Sequence, residues 1–484
     1  MNDILFYHKI APTTWVYLSS LLTIGLFFKF SRLWSIRNLD LVMLILLAPG
    51  LLLVDRGIGQ NSAGIEQIGY LWLFSITGIF LIRMLLDPMM VRRPLLEPNL
   101  SVGGMTFIGI ALLVFLMANV VNSKVTREDL AAAQGIEPSA QVAADQQTDS
   151  ATTDNTSSSS ETASTDDALS DSGLPFDPVA PASDQKPPIP PSPGYPLLRK
   201  LPPIPTQVFL PRDLSRQPGQ GTNVAAIATA RTLAVVSHVM IILGIVLIGY
   251  RHFDNIRTGI AAALLYLLLP YTAQLTGRVD HALPAALLVW AIEAYRRPFS
   301  AGVFMGLAIG TAYYPLFLLP LWISFYWQRG FMRFGLGVLA ALAVMIVALF
   351  VTSENGAMFW EQLKQMFGWP ALMAGSAEGF WSFDFIDSVY RIPVVAAFLA
   401  LSASFALWPA QKNLGTLMSC SAAIMLASQF WNANGGGLYM GWFLPLVLLT
   451  IFRPNLEDRV ASSVLGEGWR SRKRPTVVGT ERAA

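Results

Sequence analysis

A chain of 484 residues that is 53% hydrophobic and only 13% charged lies far below the roughly 25% charge of ordinary soluble domains. Its formal net charge of +2 is uninformative as a total, though its placement is not, and no nucleic-acid partner is expected. A single cysteine, Cys420, excludes an intrachain disulfide and a cysteine-built metal cluster, and four histidines leave little for a histidine-built one. Neither metal nor cofactor is expected.

The shortage of charge is uneven. Residues 258–277 and 334–351 contain no charged side chain, whereas residues 123–231 read like a different protein. Uncharged apolar runs of about 18–20 residues match the ~30 Å hydrocarbon core of a bilayer. In lipid the backbone must satisfy its own hydrogen bonds, so such runs become helices. The expected fold class is therefore all-α: a polytopic transmembrane bundle of about 11–13 helices with a long disordered extracytoplasmic insertion. The bilayer is its first partner.

Residues 1–10 lack a basic n-region, and no small-residue cleavage pattern follows the first apolar run. The first helix is expected to act as its own insertion signal. Membrane segments are expected at residues 13–30, 39–54, 68–86 and 104–121, then at 232–250, 257–275 and 281–295. Residues 301–326 are too long for one simple span and are interrupted at Pro315 and Pro320. Proline removes a backbone donor, so two short helices are expected there. Segments at 334–351, 392–408, 414–430 and 438–452 complete the set.

Basic residues cluster between these segments, at Lys29, Arg32 and Arg37, at Arg92 and Arg93, and at Arg251 and Arg257. Further clusters stand at Arg296 and Arg297, at Arg329 and Arg333, at Lys412, and from Arg470 to Arg474. With about thirteen spans, all of them fall on one side. Positive charge marks the cytoplasmic side. The N-terminus is then expected outside and the C-terminus in the cytoplasm of a plasma or inner membrane.

The chain thus divides into N-terminal helices (1–121), a polar outer segment (122–231), a second helical domain (232–453) and a basic cytoplasmic tail (454–484). Within the polar segment, residues 143–173 are rich in Ser, Thr and Asp, and residues 181–205 are rich in Pro. The first part is expected to be a flexible coil and the second extended, a spacer in the plainest reading.

Arg278-Val279-Asp280-His281 stands just before a predicted helix on the outer side. It fits an interfacial cap, with Asp280 favoured by the helix dipole. It also fits a polar cluster in which Arg278 or His281 binds phosphate while Asp280 orients a group or accepts a proton. Further on, Phe359, Leu363, Met366 and Phe367 recur at i, i+4, i+7 and i+8, with Glu361 and Lys364 off that stripe. This is the pattern of a helix lying in the membrane interface, with Trp360, Trp369 and Trp381 as aromatics of that depth. It can anchor the chain or grip a lipid-linked substrate. Glu378, Asp384 and Asp387 are further outer acids. His238, inside an apolar run, is expected to hydrogen-bond a neighbouring helix, and Cys420 to pack inertly.

From residue 230 to 322 the order of features resembles the integral membrane glycosyltransferases of the GT-C superfamily, nearest its protein-mannosyltransferase-like branch. The matching text is Ala230-Arg231-Thr232-Leu233, Tyr250-Arg251-His252-Phe253, Leu269-Pro270-Tyr271, Arg278-Val279-Asp280 and Tyr295-Arg296-Arg297. It ends with the glycine-rich Gly306-Leu307-Ala308-Ile309-Gly310-Thr311-Ala312-Tyr313-Tyr314-Pro315. The resemblance implies transfer of a sugar from a polyprenyl-phosphate carrier on the outer face. It implies Asp280 as a catalytic residue, Glu128 or Asp129 as the base of a first outer loop, and Arg278, His281, Tyr313 and Tyr314 as substrate or phosphate contacts. Trp360, Leu363 and Phe367 would lie on the interfacial helix. Two departures stand out. Ala312 occupies the place of a family lysine, and Glu128-Asp129 sits in text that does not otherwise match. Two other readings stay open: a non-catalytic scaffold displaying the polar segment, and a flippase or transporter. The last is disfavoured by the near absence of midplane charge and of an internal repeat.

Overall fold

The computed structural model describes residues 11–60, 62–90, 98–122, 221–328, 330–353, 355–368, 379–383, 386–410, 412–432, 436–454 and 456. They form helices throughout, with no strand element among the described residues. The first group is α1 (Pro12–Phe27), α2 (Ile36–Gly59), α3 (Ala63–Leu86) and α4 (Val102–Asn122). After residues 123–220 come α5 (Gly221–Arg251), α6 (Ile256–Leu268), a short α7 (Pro270–Gln274), α8 (Val279–Glu293) and α9 (Pro298–Thr311). A 3-10 turn (Tyr314–Leu318) leads into α10 (Leu319–Tyr326). Then follow α11 (Phe331–Thr352), α12 (Gly356–Met366), α13 (Arg391–Ser404), α14 (Leu414–Trp431) and α15 (Leu444–Phe452).

Among the described residues six helices are long and apolar enough to cross a membrane: α2, α3, α4, α5, α11 and α14. The chain is built as a multi-pass helical membrane protein. Its helices differ in what surrounds them. The most apolar stretch of α14 is 94% buried inside the protein, against 17% for α4 and 28% for α11. Helix α14 is therefore the central post of the bundle, while Phe107, Ile110 and Val114 of α4 and Leu336, Leu339 and Val347 of α11 point outward. Such side chains suit lipid tails, which are as apolar as leucine.

Several segments differ from expectation. The helix predicted at 232–250 begins at Gly221, because Ala225, Ala226, Ala228 and Ala230 favour helix. The polar segment is correspondingly shorter. Residues 123–220, with Glu128 and Asp129, lie outside the described residues, as do Arg92, Arg93, Trp369, Glu378 and Asp384. The span predicted at 257–275 breaks at Leu269, whose ψ of 131° leaves the helical region ahead of Pro270, as the pre-proline clash requires. The span predicted at 392–408 ends at Ser404, and that at 438–452 starts as a 3-10 turn (Met440–Trp442) before Pro445 admits α15. The division of 301–326 into two helices is as expected.

Contacts between helix ends define two ends of the bundle. At one, Lys29 donates to Asn99 at 2.9 Å, Arg257 to the Pro98 carbonyl at 3.1 Å, and Arg251 pairs with Glu293. Lys412 there donates to the carbonyls of Ala406 and Pro409. At the other, Arg231 donates to the Val121 carbonyl at 3.2 Å and Trp381 to the Phe430 carbonyl at 3.0 Å. The described basic clusters thus gather at one end, as their spacing between apolar runs requires.

That basic end holds a buried ion network. Arg83 forks onto Asp40 at 2.9 and 3.0 Å and donates to Asp87 at 3.0 Å, while Arg453, just beyond α15, also donates to Asp87. Gly415 leaves the room that the Arg453 guanidinium fills. Two acids face two arginines, so α2, α3 and the end of α15 are joined without a net buried charge. Asp87, with no exposed surface, serves both guanidinium groups. Asp87→Ala would take the carboxylate from Arg453 and leave Arg83 with Asp40 alone, and a loss of about 3–5 kcal/mol is expected. A lowered unfolding midpoint in detergent checks this, and an unchanged one would show the network to be dispensable.

Candidate functional site

The end opposite the basic clusters carries the residues singled out before the helix predicted at 281–295. Arg278 stands at the N-cap of α8, and Asp280 lies in its first turn. There the unpaired N–H groups of a helix favour a carboxylate. Arg278 forks onto that carboxylate, Nε to Oδ1 at 3.1 Å and Nη2 to Oδ2 at 3.0 Å. The Asp280 side chain is 7% exposed and that of Arg278 is 35% exposed. The Arg278 side chain is thus partly exposed while the acid is enclosed. Such a fork matches carboxylate and phosphate equally.

His281 is buried beside the pair, its Nε2 3.7 Å from Asp280 Oδ2. Beyond the break at Leu269, the Tyr271 hydroxyl of α7 hydrogen-bonds His281 Nδ1. On its other face His281 stacks on Tyr439 with centroids 4.6 Å apart, and Tyr439 stacks on Trp442 at 4.5 Å. The indole N–H of Trp442 donates to the Asp280 carbonyl at 2.9 Å. Gly441 makes this closeness possible: a Cβ there would stand 2.8 Å from the His281 carbonyl and 3.1 Å from the Tyr271 hydroxyl.

Tyr313 and Tyr314 follow α9, where Ala312 is extended and Pro315 starts a 3-10 turn. Both rings are buried and stacked at 4.0 Å, and Tyr314 contacts Trp442 at 4.7 Å. The two tyrosines therefore join the Asp280 group through Trp442. Ala312 is buried too, and its methyl group supplies no charge. The helix expected at the interface is α12. Trp360 is 60% exposed, Met366 is buried, and Leu363 and Phe367 are half-buried. Its end reaches the same cluster, since Gly368 at φ +69° lays its backbone against the Tyr313 ring.

Arg278, Asp280, His281, Tyr313 and Tyr314 are thus gathered at one end, with the end of α12 against them. Sequence reasoning missed Tyr271, Trp431, Tyr439, Trp442 and Arg391. Tyr271 stood in the matching text Leu269-Pro270-Tyr271 without a role, Trp431, Tyr439 and Trp442 show only as aromatics beside outer loops, and Arg391 carries no signal of its own. Elsewhere, His238 bridges helices as expected, with Nδ1 2.8 Å from the Tyr266 hydroxyl and Nε2 3.1 Å from the Thr276 carbonyl. Cys420 is buried, and among the described residues no group of His, Cys, Asp and Glu could hold a metal ion. The void beside Tyr271, lined by Leu51, Pro270, Met440 and Leu444, is about 10 Å³, room for about one water.

The chain matches no family model, no curated protein and no solved structure.

Gly441→Val would push the Tyr439–Trp442 turn off His281. A loss of about 1–3 kcal/mol is expected from such overpacking, with a weakened aromatic near-ultraviolet dichroism. Gly277→Ala is the control, because a Cβ there meets nothing within 4 Å and should leave both readouts unchanged. Equal effects of the two would contradict the close packing described.

Proposed function

We propose that the chain is a membrane glycosyltransferase that moves a sugar from a polyprenyl-phosphate carrier to an acceptor on the extracytoplasmic face. The observation that carries this reading is the Arg278–Asp280 fork, its acid enclosed and its arginine partly exposed, at the bundle end away from the basic clusters. Positive charge is retained on the cytoplasmic side, so this end is the extracytoplasmic one in this reading, with the N-terminus outside.

In the transfer the acceptor oxygen bonds to the anomeric carbon as the bond from that carbon to the phosphate oxygen breaks. The polyprenyl phosphate leaves with the bonding electron pair, and the acceptor proton goes to a carboxylate. Arg278 neutralises the charge growing on the phosphate, a pre-placed electrostatic contribution. Asp280 takes the proton once phosphate has drawn Arg278 away from it, since an acid–base group must reach the reacting hydroxyl. Glu128 and Asp129 are the alternative base. The exposed ring of Trp360 and the half-buried Leu363 and Phe367 on α12 would lie along the carrier's prenyl chain at the interface.

Two observations favour a second reading, a non-catalytic membrane scaffold. Asp280 already has its partner, and Ala312 supplies no cation. The two readings part on one assay of the full chain in lipid nanodiscs with radiolabelled polyprenyl-phosphate sugars and membrane-extract acceptors. The transferase reading expects label transfer that Asp280→Asn lowers about a hundredfold or more, with the unfolding midpoint kept. Transfer undiminished in that variant would remove Asp280 from the chemistry. No transfer by the wild-type chain with any donor would leave the scaffold.

A further inference from the structure

Pro284 lies inside α8 and has no N–H to offer, so the carbonyl four residues earlier, that of Asp280, loses its helical partner. Trp442 supplies the missing donor with its indole N–H at 2.9 Å. The same stretch touches the start of α8 and its neighbour α7 at two further points. Tyr439 stacks on the His281 ring, and the Gly441 N–H donates to the Tyr271 hydroxyl. Tyr271, Asp280 and His281 are all buried, so these contacts are made away from bulk water.

Together they decide where the His281 ring carries its proton. The Tyr271 oxygen accepts from Gly441, and its own O–H donates to His281 Nδ1. In a neutral imidazole one nitrogen accepts and the other holds the proton, and the bond made by the first sets the tautomer. Nδ1 accepts here, so Nε2 holds the proton. Nε2 stands 3.7 Å from Asp280 Oδ2, longer than a hydrogen bond but close enough for an N–H to favour the charged carboxylate. A lone pair in that place would repel it. The two carboxylate oxygens are therefore unlike. Oδ1 accepts from Arg278 Nε, whereas Oδ2 has both Arg278 Nη2 and the imidazole N–H beside it. Departure of the guanidinium to a phosphate frees Oδ1 more than Oδ2.

We infer that Tyr271 is a positioning residue for Asp280: by fixing His281 in its Nε2–H tautomer it holds Oδ2 and leaves Oδ1 to take the acceptor proton. The tautomer stands on geometry alone, and its role in transfer rests on the transferase reading. The acceptor proton moves to Oδ1 as the bond from sugar to phosphate oxygen breaks, and the imidazole neither gains nor loses a proton.

The test uses the full chain in lipid, isotopically labelled at its histidine ring nitrogens and read by magic-angle-spinning NMR near neutral pH, where protonated and bare nitrogens resonate far apart. His281→Gln identifies the His281 signals by their loss. The wild type should show Nε2 protonated and Nδ1 bare. Tyr271→Phe keeps the ring and removes the donor, so a second His281 signal with Nδ1 protonated should appear. Tyr266→Phe is the control: that hydroxyl lies 2.8 Å from Nδ1 of His238, so its loss should alter His238 and leave His281 as it was. In the transfer assay Tyr271→Phe should lower kcat about five- to tenfold, the worth of about one hydrogen bond, with KM kept. A wild-type His281 protonated on Nδ1 overturns the inference whether or not sugar is transferred, as does an unaltered tautomer in Tyr271→Phe or an equal change at His281 in Tyr266→Phe. An altered tautomer with kcat kept, or with the loss falling on KM instead, overturns the role in transfer. Should Tyr271→Phe fail to fold, the wild-type spectrum decides alone. The expected spectra in a chain that transfers no sugar overturn the transferase reading and leave Tyr271 as the residue that orders His281 against Asp280.

Discussion

Hydrocarbon offers no partner to a charge or a backbone polar group, and this one constraint arranges the whole molecule. It forces the apolar runs into helices. It also drives the described arginines and acids toward the two ends, where they meet each other, a carbonyl or an exposed surface. Where charge is enclosed it is matched: Asp40 and Asp87 against Arg83 and Arg453 at one end, Asp280 against Arg278 at the other. The two groups differ in one respect. The first is buried throughout, whereas Arg278 keeps a third of its side chain open. Buried pairing serves assembly, and open pairing leaves a charge to offer.

The same constraint explains the aromatic character of the second end. A chain of rings from His281 through Tyr439, Trp442 and Tyr314 to Trp431 fills space that water would otherwise enter, while its hydroxyl and N–H groups keep polar handles inside an apolar wall. Glycine sets how closely these parts approach. Gly441 lets a turn lie on the His281 carbonyl, and Gly302 and Gly337 let α9 and α11 run side by side with their backbones in contact. Small residues at such crossings are the usual means by which membrane helices pack.

The existence of the helices was legible because their signal is one-dimensional: an apolar run of bilayer length is a helix whatever surrounds it. The gathering of basic loops at one end followed from the same runs. Boundaries were less legible where local chemistry overrode the run. Pro270 bent a span that hydropathy read as continuous, and alanines carried α5 back to Gly221 inside text that composition assigned to the polar segment. At the site, Arg278, Asp280 and His281 could be named because ionisable residues are scarce and adjacent there. Tyr439, Trp442 and Arg391 could not, because they meet His281, Tyr314 and Trp431 only after the chain returns from far along its length. The resemblance to the GT-C superfamily pointed to Tyr313 and Tyr314, and the partners of those rings came from the fold.

All of this rests on a bundle with two unlike ends, the Arg278–Asp280 fork and the aromatic cluster lying on the end away from the basic loops. Single cysteines in a Cys420→Ser background probe that arrangement, read by a membrane-impermeant thiol reagent on sealed, right-side-out vesicles. Gln60→Cys and Tyr390→Cys belong to the site end, and Arg251→Cys and Trp327→Cys to the basic end; all four positions are exposed. The first two should react in intact vesicles and the last two only after the membrane is opened. Labelling of Tyr390→Cys and Arg251→Cys from the same side would contradict the two-ended bundle.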